Sequence, residues 1–558
     1  MALAREVYQQ FEDIVGPDNI SDDPAVLDSY ATSMAQSQHH MGPVYNVFTP
    51  RGLAAVLPGS TEEVQSVVKL CNKYQIKFHA ASTFWTSRAN ICDDKAITLD
   101  MKRMDRILEI NEKNQYAVIE PYVIGATLQA EAMKVGLNTT IIGAGSSCSP
   151  LASACCNGGP SPFAMFGGLT RENLLAFEWV MPDGEILRSG SLGSGLGWFC
   201  DDGPGPGLRG LIMGGSGAMG AMGVFTKCAI KLFPWPGPPD FPSEGIIPAY
   251  KSVLPPNIVG HTVAWPSWEA YANGLYRIWD SGISGYYSHR QYTMFGRDLK
   301  AAMIKILADP NKTLNDLEWL LKDPETLRQN EEMKRDFQLI LAGMTPRDID
   351  WQEKVLDKIL AETGGWKASL MEDPDIKDWS LLFLLRLGHK NLNFVFAGGY
   401  EGAFGIGGCP DYSCPRVELA AEFKRKWEKE HDSFVAAGGD TMMGGMAGIG
   451  GGGVTAWENF THFDSHDRRS VTETHEYFEL SSKFGREHGL GAMERMYAIS
   501  RRDDGYGLTK EEHEKKAAAF PQPLVFEYQW KIREFLNPNQ LGDTYYVTLE
   551  PKNTAGEV

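Results

Sequence analysis

Apolar positions in REVYQQFEDIV (5 to 15) recur at helical spacing, and the turn formers GPDNISDDP interrupt them before a second short helix around Val26 to Tyr30. From Pro43 to Pro234 the pattern changes. Short β-rich runs (AAVLP, AITLD, YAVIEP, FEWVMP, EILRSG, CAIKLF) alternate with helical stretches such as STEEVQSVVKLCNKY and TLQAEAMKVG, a pattern of α+β character. Ser60 as N-cap with Glu63 three residues on predicts a capping box, the Glu63 carboxylate reaching back to an orphan amide.

PWPGPPDFPSEG (234 to 245) sets five prolines in twelve residues, which stops regular structure and marks a boundary. Beyond it, extended stretches (HTVAWPS, LNFVFAGGYEG) mix with charged helical ones (LNDLEWLLKD, RVELAAEFKRKWEKEHDSFVAAGG), again α+β in character. Helices are expected at 315 to 340 and 416 to 435, each with a solvated face that accounts for its charge run. VFEYQWKIREFLNPNQLGDTYY predicts one more helix, ended by Asn-Pro-Asn. Four units are therefore expected: a helical lead-in over 1–42, an α+β domain over 43–237, a second over 238–505, and a C-terminal segment over 506–558.

The length of 558 residues exceeds what one core supports, which agrees with several units. A formal charge of -18 disfavours nucleic acid or an anionic membrane as a general partner, since both are polyanions. No apolar window approaches a bilayer span and the N-terminus lacks a signal-peptide core, so a cytoplasmic protein is expected. The nine cysteines do not form a disulfide framework, and Cys409 and Cys414 in CPDYSC lack companion ligands, so no metal site is expected.

Two stretches are rich in small residues: IIGAGSSCSPLASACCNGGP (141 to 160) and LRGLIMGGSGAMGAMGVFTKCAIKLFPWPG, beginning at residue 208. Such residues let backbone amides approach phosphate oxygens closely. A nicotinamide-type unit does not fit, because GAGSSC lacks the third glycine and the acidic residue about twenty positions on. HExxH and a GxSxG with triad context are absent too.

With VLPGSTEEVQSVVKLCNKYQIKFHAAS and FGGLTRENLLAFEWVMPDGEILRSG, these two stretches make four segments that resemble, in order and spacing, the flavin-binding domain of the vanillyl-alcohol oxidase and p-cresol methylhydroxylase superfamily, which includes glycolate and D-lactate dehydrogenases. The resemblance implies an α+β fold: a two-part FAD-binding domain of the p-cresol methylhydroxylase type with an α+β substrate (cap) domain. It implies FAD contacts from Ser82, Thr83, Thr86, Ser87, Arg88 and Asn90 in the first loop, and from Gly145, Ser146, Ser149, Ser153 and Gly158 in the second segment. Thr170, Gly223 and Val224 complete the set. The first loop, STFWTSRAN, contains no glycine, and Phe84 and Trp85 stand where positive φ or close approach is normally required. Neither that loop nor GGMAGIGGGGV (444 to 454) offers the histidine or tyrosine used elsewhere in the family as a covalent tether, so the FAD is expected to be non-covalent.

On the substrate side, the family's second domain covers the flavin ring. Here the corresponding stretches, 457 to 480 and 492 to 507, contain His462 and His466 as candidate bases, Arg468 and Arg495 as candidate carboxylate ligands, and Tyr497. The tyrosine–arginine pair of the phenol-oxidising branch and the HxGDGNxH stretch of the hydroxy-acid branch are both missing. The resemblance thus implies an oxidoreductase acting on a small hydroxylated molecule, a 2-hydroxy acid or a phenolic alcohol, with electrons passing to a protein or quinone acceptor. An oligomer, or a subunit of a larger complex, is expected. Two alternatives stay open: a flavin-degenerate structural subunit, and a flavin-assisted transferase like the ether-lipid synthase branch.

Overall fold

The computed structural model of the chain describes residues 3–31, 51–84, 89–91, 93–139, 147–157, 167–168, 170–200, 222–246, 249–283, 287–289, 299–385, 398–406, 409–433, 442–444, 456–464, 467–488, 499–500, 531–532, 534–542 and 546–547. Two helices, α1 (Arg5–Val15) and α2 (Pro24–Tyr30), lead into the first sheet. Asp23 caps α2 by accepting from the Ala25 amide at 2.7 Å, and Pro24 occupies the first helical position, where its missing N–H costs nothing. The sheet comprises β1 (Ile20–Ser21), β2 (Ala55–Val56), β3 (Lys77–Ala81) and β4 (Ala96–Asp100), in the order β1-β2-β4-β3. β2, β4 and β3 run parallel.

The crossover from β2 to β3 is α3 (Thr61–Tyr74). Its Ser60 cap accepts from the Glu63 amide at 3.1 Å as expected, but the Glu63 carboxylate accepts from the Gly59 amide at 2.8 Å rather than from Ser60. Arg103 donates to the same Glu63 oxygen, at 3.0 Å. Val64, Val67, Val68 and Cys71 of α3 are fully buried with Phe11 of α1 and with Ile97 and Leu99 of β4. Burying one such aliphatic side chain contributes about 1.5–3 kcal/mol, so this face fixes the helix on its sheet.

A second sheet contains β5 (Ile107–Asn111), β6 (Tyr116–Ile119), β7 (Leu137–Thr139), β8 (Leu174–Val180), β9 (Ile186–Arg188) and β10 (Val224–Pro234), ordered β5-β6-β10-β8-β9 with β7 also on β10. Helix α4 (Gly125–Lys134) joins β6 to β7 and buries Leu128 and Ala132 against Ile119, Phe177 and Ile230. The C-terminal segment returns to this half. Residues 531–532 and 534–536 are helical, Ile532 and Leu536 pack on the same core, and Phe78 of β3 donates its amide to the Leu541 carbonyl at 2.9 Å.

After the short hairpin of β11 (Ser243–Ile246) and β12 (Ala249–Ser252) comes a third sheet. It is built from β13 (Ile258–Ala264), β14 (Tyr287–His289), β15 (Asp336–Ala342) and β16 (Trp366–Lys367), ordered β14-β15-β13-β16. Its strands alternate in the way a two-sided sheet requires. Val263, Phe337, Leu339 and Leu341 face α5 (Trp268–Ser281) and α8 (Pro346–Thr363), while Ile258 and Ile340 turn to Leu381, Trp235 and Met133, so α4 touches this second half. Between them lie α6 (Lys300–Ala308) and α7 (Pro324–Glu332), and after them α9 (Pro374–Leu385).

The expected helix over 315 to 340 is not one helix. A single turn at Leu317–Leu320 is followed by α7 and then by strand β15, because Pro324 starts a new helix behind the Asp323 cap and the run FQLILA, apolar but for Gln338, buries both faces of a strand. The helix expected at 416 to 435 is α10 (Pro410–Glu430), which begins earlier and tolerates Pro415 inside its second turn. A further sheet joins β17 (Gly398–Ile406), β18 (Met442–Gly444) and β19 (Ala456–Asp464) in the order β17-β19-β18, followed by α11 (Arg468–Glu487).

Candidate functional site

In open α/β layers, ligands bind beyond the carboxyl ends of parallel strands. Here those ends belong to β3 and β4, and the glycine-free loop leaves β3 directly. Ser82 and Thr83 follow the strand half-buried, and Phe84 adopts φ 48°, the left-handed region that side chains other than glycine rarely enter. The chain therefore makes the turn that a glycine would make, with an aromatic residue. Its ring lies 5.5 Å from that of Tyr30, tilted by 59°. At the far end of the loop, buried Asn90 donates to the Tyr30 carbonyl at 2.6 Å. The Tyr30 hydroxyl donates to Asp100 Oδ2 at 2.7 Å, at the end of β4. Burial, then the bond to Asp100, pushes the Tyr30 phenol well above its ordinary range, so it stays a donor at every physiological pH.

The second segment turns sharply. Ser149 accepts from the Ala152 amide at 3.1 Å and donates to the Pro121 carbonyl at 2.6 Å, and Ser153 donates to the Ser149 carbonyl at 2.9 Å. Both hydroxyl protons are thus committed to backbone, and these serines shape the turn that continues as a π-helical stretch, Ser153–Asn157. Thr170 opens a 3₁₀ turn, Thr170–Asn173, before β8. Gly223 has φ 86°, and a Cβ there would stand 2.2 Å from the Val180 carbonyl oxygen, so no other residue fits beside β8. Trp179 Nε1 donates to the Met222 carbonyl at 2.6 Å, and Val224 is buried opposite Val180.

Behind this surface a buried carboxylate ties the layers together. Glu178 Oε1 accepts from Thr61 Oγ1 at 2.7 Å, Lys227 Nζ at 2.7 Å and Thr226 Oγ1 at 3.1 Å, while Oε2 accepts from Arg188 Nε at 2.9 Å. Burial alone would raise its pKa, but the bonds from Lys227, Thr61 and Arg188 outweigh burial and hold the carboxyl below its ordinary value. Thr61 belongs to α3, so this one carboxylate fixes the first sheet's helix on the second sheet.

On the substrate side, His462 lies in β19 opposite Tyr400 of β17, and Arg468 is the exposed first residue of α11. Thr86, Ser87, Arg88, Gly145, Ser146, Gly158, His466, Arg495 and Tyr497 lie outside the described residues. Tyr30 and Asp100 were not singled out by sequence reasoning. The available signal was a tyrosine ending a capped helix and an aspartate ending a buried strand, neither of which carries a motif. Among the described residues no cluster of three potential metal ligands occurs, and no helix is long and apolar enough to cross a membrane.

Known proteins resemble this chain in part of its sequence and in its fold. Residues 52–190 match the FAD binding domain family. The fold is that of p-cresol methylhydroxylase, whose substrate-bound crystal structure superposes with a TM-score of 0.67 over 98% of this chain and 97% of that one, at 16% identity. An uncharacterized FAD-linked oxidoreductase of Mycobacterium tuberculosis is 27% identical over 230 residues, 41% of this chain and 46% of its own. A glycolate oxidase subunit of Bacillus subtilis is 24% identical over 242 residues, 42% of this chain and 46% of its own. The chain thus spans less than half the length of these curated relatives. Residues 52–190 thus resemble FAD binding domains, and the chain as a whole has the fold of p-cresol methylhydroxylase. The described residues of the β3–β4 edge are compatible with the cofactor: half-buried Ser82 and Thr83 lead into a turn of glycine type at Phe84.

Proposed function

We propose that this chain is an FAD-dependent oxidoreductase that oxidises a small hydroxylated organic molecule, a 2-hydroxy acid or a phenolic alcohol, and passes the electrons to a protein or quinone acceptor. The observation that carries the reading is the FAD-binding match over residues 52–190, whose β3 strand runs into a left-handed turn at Phe84. Bound FAD supplies a two-electron acceptor. The chain supplies the rest. In this reading the lead-in (1–42) and the first unit (43–237) hold the cofactor, the second unit (238–505) covers the ring, and 506–558 returns to the first.

Ser82, Thr83 and Asn90 line the diphosphate, with Thr86, Ser87 and Arg88 completing the loop, while Gly145, Ser146, Ser149, Ser153, Gly158, Thr170, Gly223 and Val224 run along the remainder of the nucleotide. His462, with His466, removes the substrate hydroxyl proton, and Arg468 or Arg495 holds a carboxylate as Tyr497 closes the pocket. The cofactor is held without a covalent bond. The same reading includes a cytoplasmic oligomer working with an electron-transfer partner.

Anaerobic addition of a panel of 2-hydroxy acids and phenolic alcohols to the FAD-loaded protein tests this. Bleaching of the visible flavin bands by one class is expected, and His462→Ala should slow it at least about a hundredfold while keeping the flavin. A spectrum unmoved by the whole panel, with group exchange detected instead, would favour the transferase alternative.

A further inference from the structure

Phe84 sits in a backbone conformation natural to glycine, and such a conformation persists in another residue only where its surroundings hold it. One residue touches both ends of this loop. The Tyr30 ring packs on Phe84 at 5.5 Å, and the Tyr30 carbonyl accepts from Asn90 Nδ2 at 2.6 Å. Tyr30 is itself anchored, its hydroxyl donating to Asp100 Oδ2 at 2.7 Å, while Asp100 Oδ1 accepts from the Lys102 amide at 3.0 Å and Lys102 Nζ lies 3.3 Å from the carboxylate. Asp100 is 4% exposed and Asn90 1%, so neither anchor exchanges readily with water. Tyr30 comes from α2, outside the 52–190 stretch that matches the FAD binding domain.

We infer that Tyr30 is a positioning residue for FAD: from the N-terminal lead-in it locks Phe84 and Asn90, so that a loop without glycine presents a glycine-type turn to the cofactor diphosphate. The lead-in is thereby part of the cofactor site. The inference rests on the FAD reading above and adds a residue and a mechanism to it.

The test is the FAD dissociation constant of the apoprotein, by calorimetry, for Phe84→Gly, Phe84→Ala, Tyr30→Ala, Tyr30→Phe and Tyr30→Ala/Phe84→Gly, with apoprotein melting followed in parallel. Phe84→Gly should bind within about threefold of wild type, because glycine takes positive φ unaided, whereas Phe84→Ala should bind about tenfold more weakly. Tyr30→Ala should lose about tenfold, and the double variant should recover to the Phe84→Gly value. Tyr30→Phe keeps the ring but loses its anchor on Asp100, and should fall between wild type and Tyr30→Ala.

Equal affinities for Phe84→Gly and Phe84→Ala would overturn the inference even if Tyr30→Ala fails to accumulate. A double variant as weak as the product of its two single losses would overturn it as well. In both cases the wild type still binds FAD and the broader reading survives; a wild-type protein that takes up no FAD sinks both.

Discussion

Lys227 and Glu178 stand directly opposite each other on β10 and β8, and Lys227 Nζ donates to Glu178 Oε1 at 2.7 Å while also reaching Thr61 Oγ1 at 3.1 Å. Through Thr61 the pair ties α3, the helix of the first sheet, to the second sheet. Removing Lys227 takes one of two cations from an enclosed carboxylate and leaves it paired with Arg188 alone among the described cations. Lys227→Met should therefore destabilise by about 2 kcal/mol in urea unfolding. Lys227→Met/Glu178→Met, which removes both charges, should regain most of that loss; a double variant less stable than the single would argue against the pairing as the cause.

A second buried pair, in the other half, makes a parallel case. Lys300 of α6 donates to Asp336 Oδ1 at 2.7 Å and to the Met333 carbonyl at 3.0 Å, with both side chains almost wholly enclosed. Lys300→Met should cost about 3–5 kcal/mol, and adding Asp336→Leu should restore stability toward wild type. Thermal melts of the three proteins decide it.

Acid stability has a local origin in the third sheet. His261 of β13 is enclosed, its Nδ1 2.8 Å from Glu372 and its Nε2 against Glu353, with Lys377 on Glu372 at 2.8 Å and Lys367 3.7 Å from Glu353 and 2.9 Å from Asp357. The bond to His261, opposed by burial and aided by the His261 charge, lowers Glu353 to about 2. Glu372 is lowered too, where burial, which raises it, is outweighed by the His261 and Lys377 bonds. A carboxylate whose folded pKa is depressed contributes stability that is complete above its ordinary value, about 4.3, and is lost as pH falls through the folded value. Wild-type stability should thus decline between about pH 5 and pH 2. His261→Gln should melt lower at neutral pH and show a flatter acid decline; an unchanged slope would contradict the linkage.

Gly223 tests the entry to β10. Gly223→Ala meets φ 86° and a Val180 carbonyl 2.2 Å from the new Cβ, so it should destabilise by at least about 2 kcal/mol and lower FAD uptake in proportion. Wild-type melting and flavin content in this variant would count against the close packing of β8 and β10.

How far the sequence carried the fold follows from where local and global signals agree. Ser60, the AITLD and CAIKLF runs and the PDGEIL hairpin sit where their patterns imply, because caps, period-2 runs and turn formers act locally. The 315 to 340 stretch failed because Glu, Lys and Leu continue a helical pattern across Pro324, and only pairing with β13 reveals FQLILA as a strand. At the site, the missing glycine of the first loop was visible. Its resolution was not, since the left-handed Phe84 depends on Tyr30, more than fifty residues earlier, and no spacing rule links them. Ser149 and Ser153 were legible as small residues in a tight segment, while their commitment to Pro121 and Ser149 carbonyls is tertiary.

The most direct measurement is the flavin stoichiometry of the purified protein. After reconstitution with FAD, the account predicts one flavin per chain by visible absorbance, released intact into the supernatant on acid precipitation. A folded, colourless protein that takes up no FAD would contradict it.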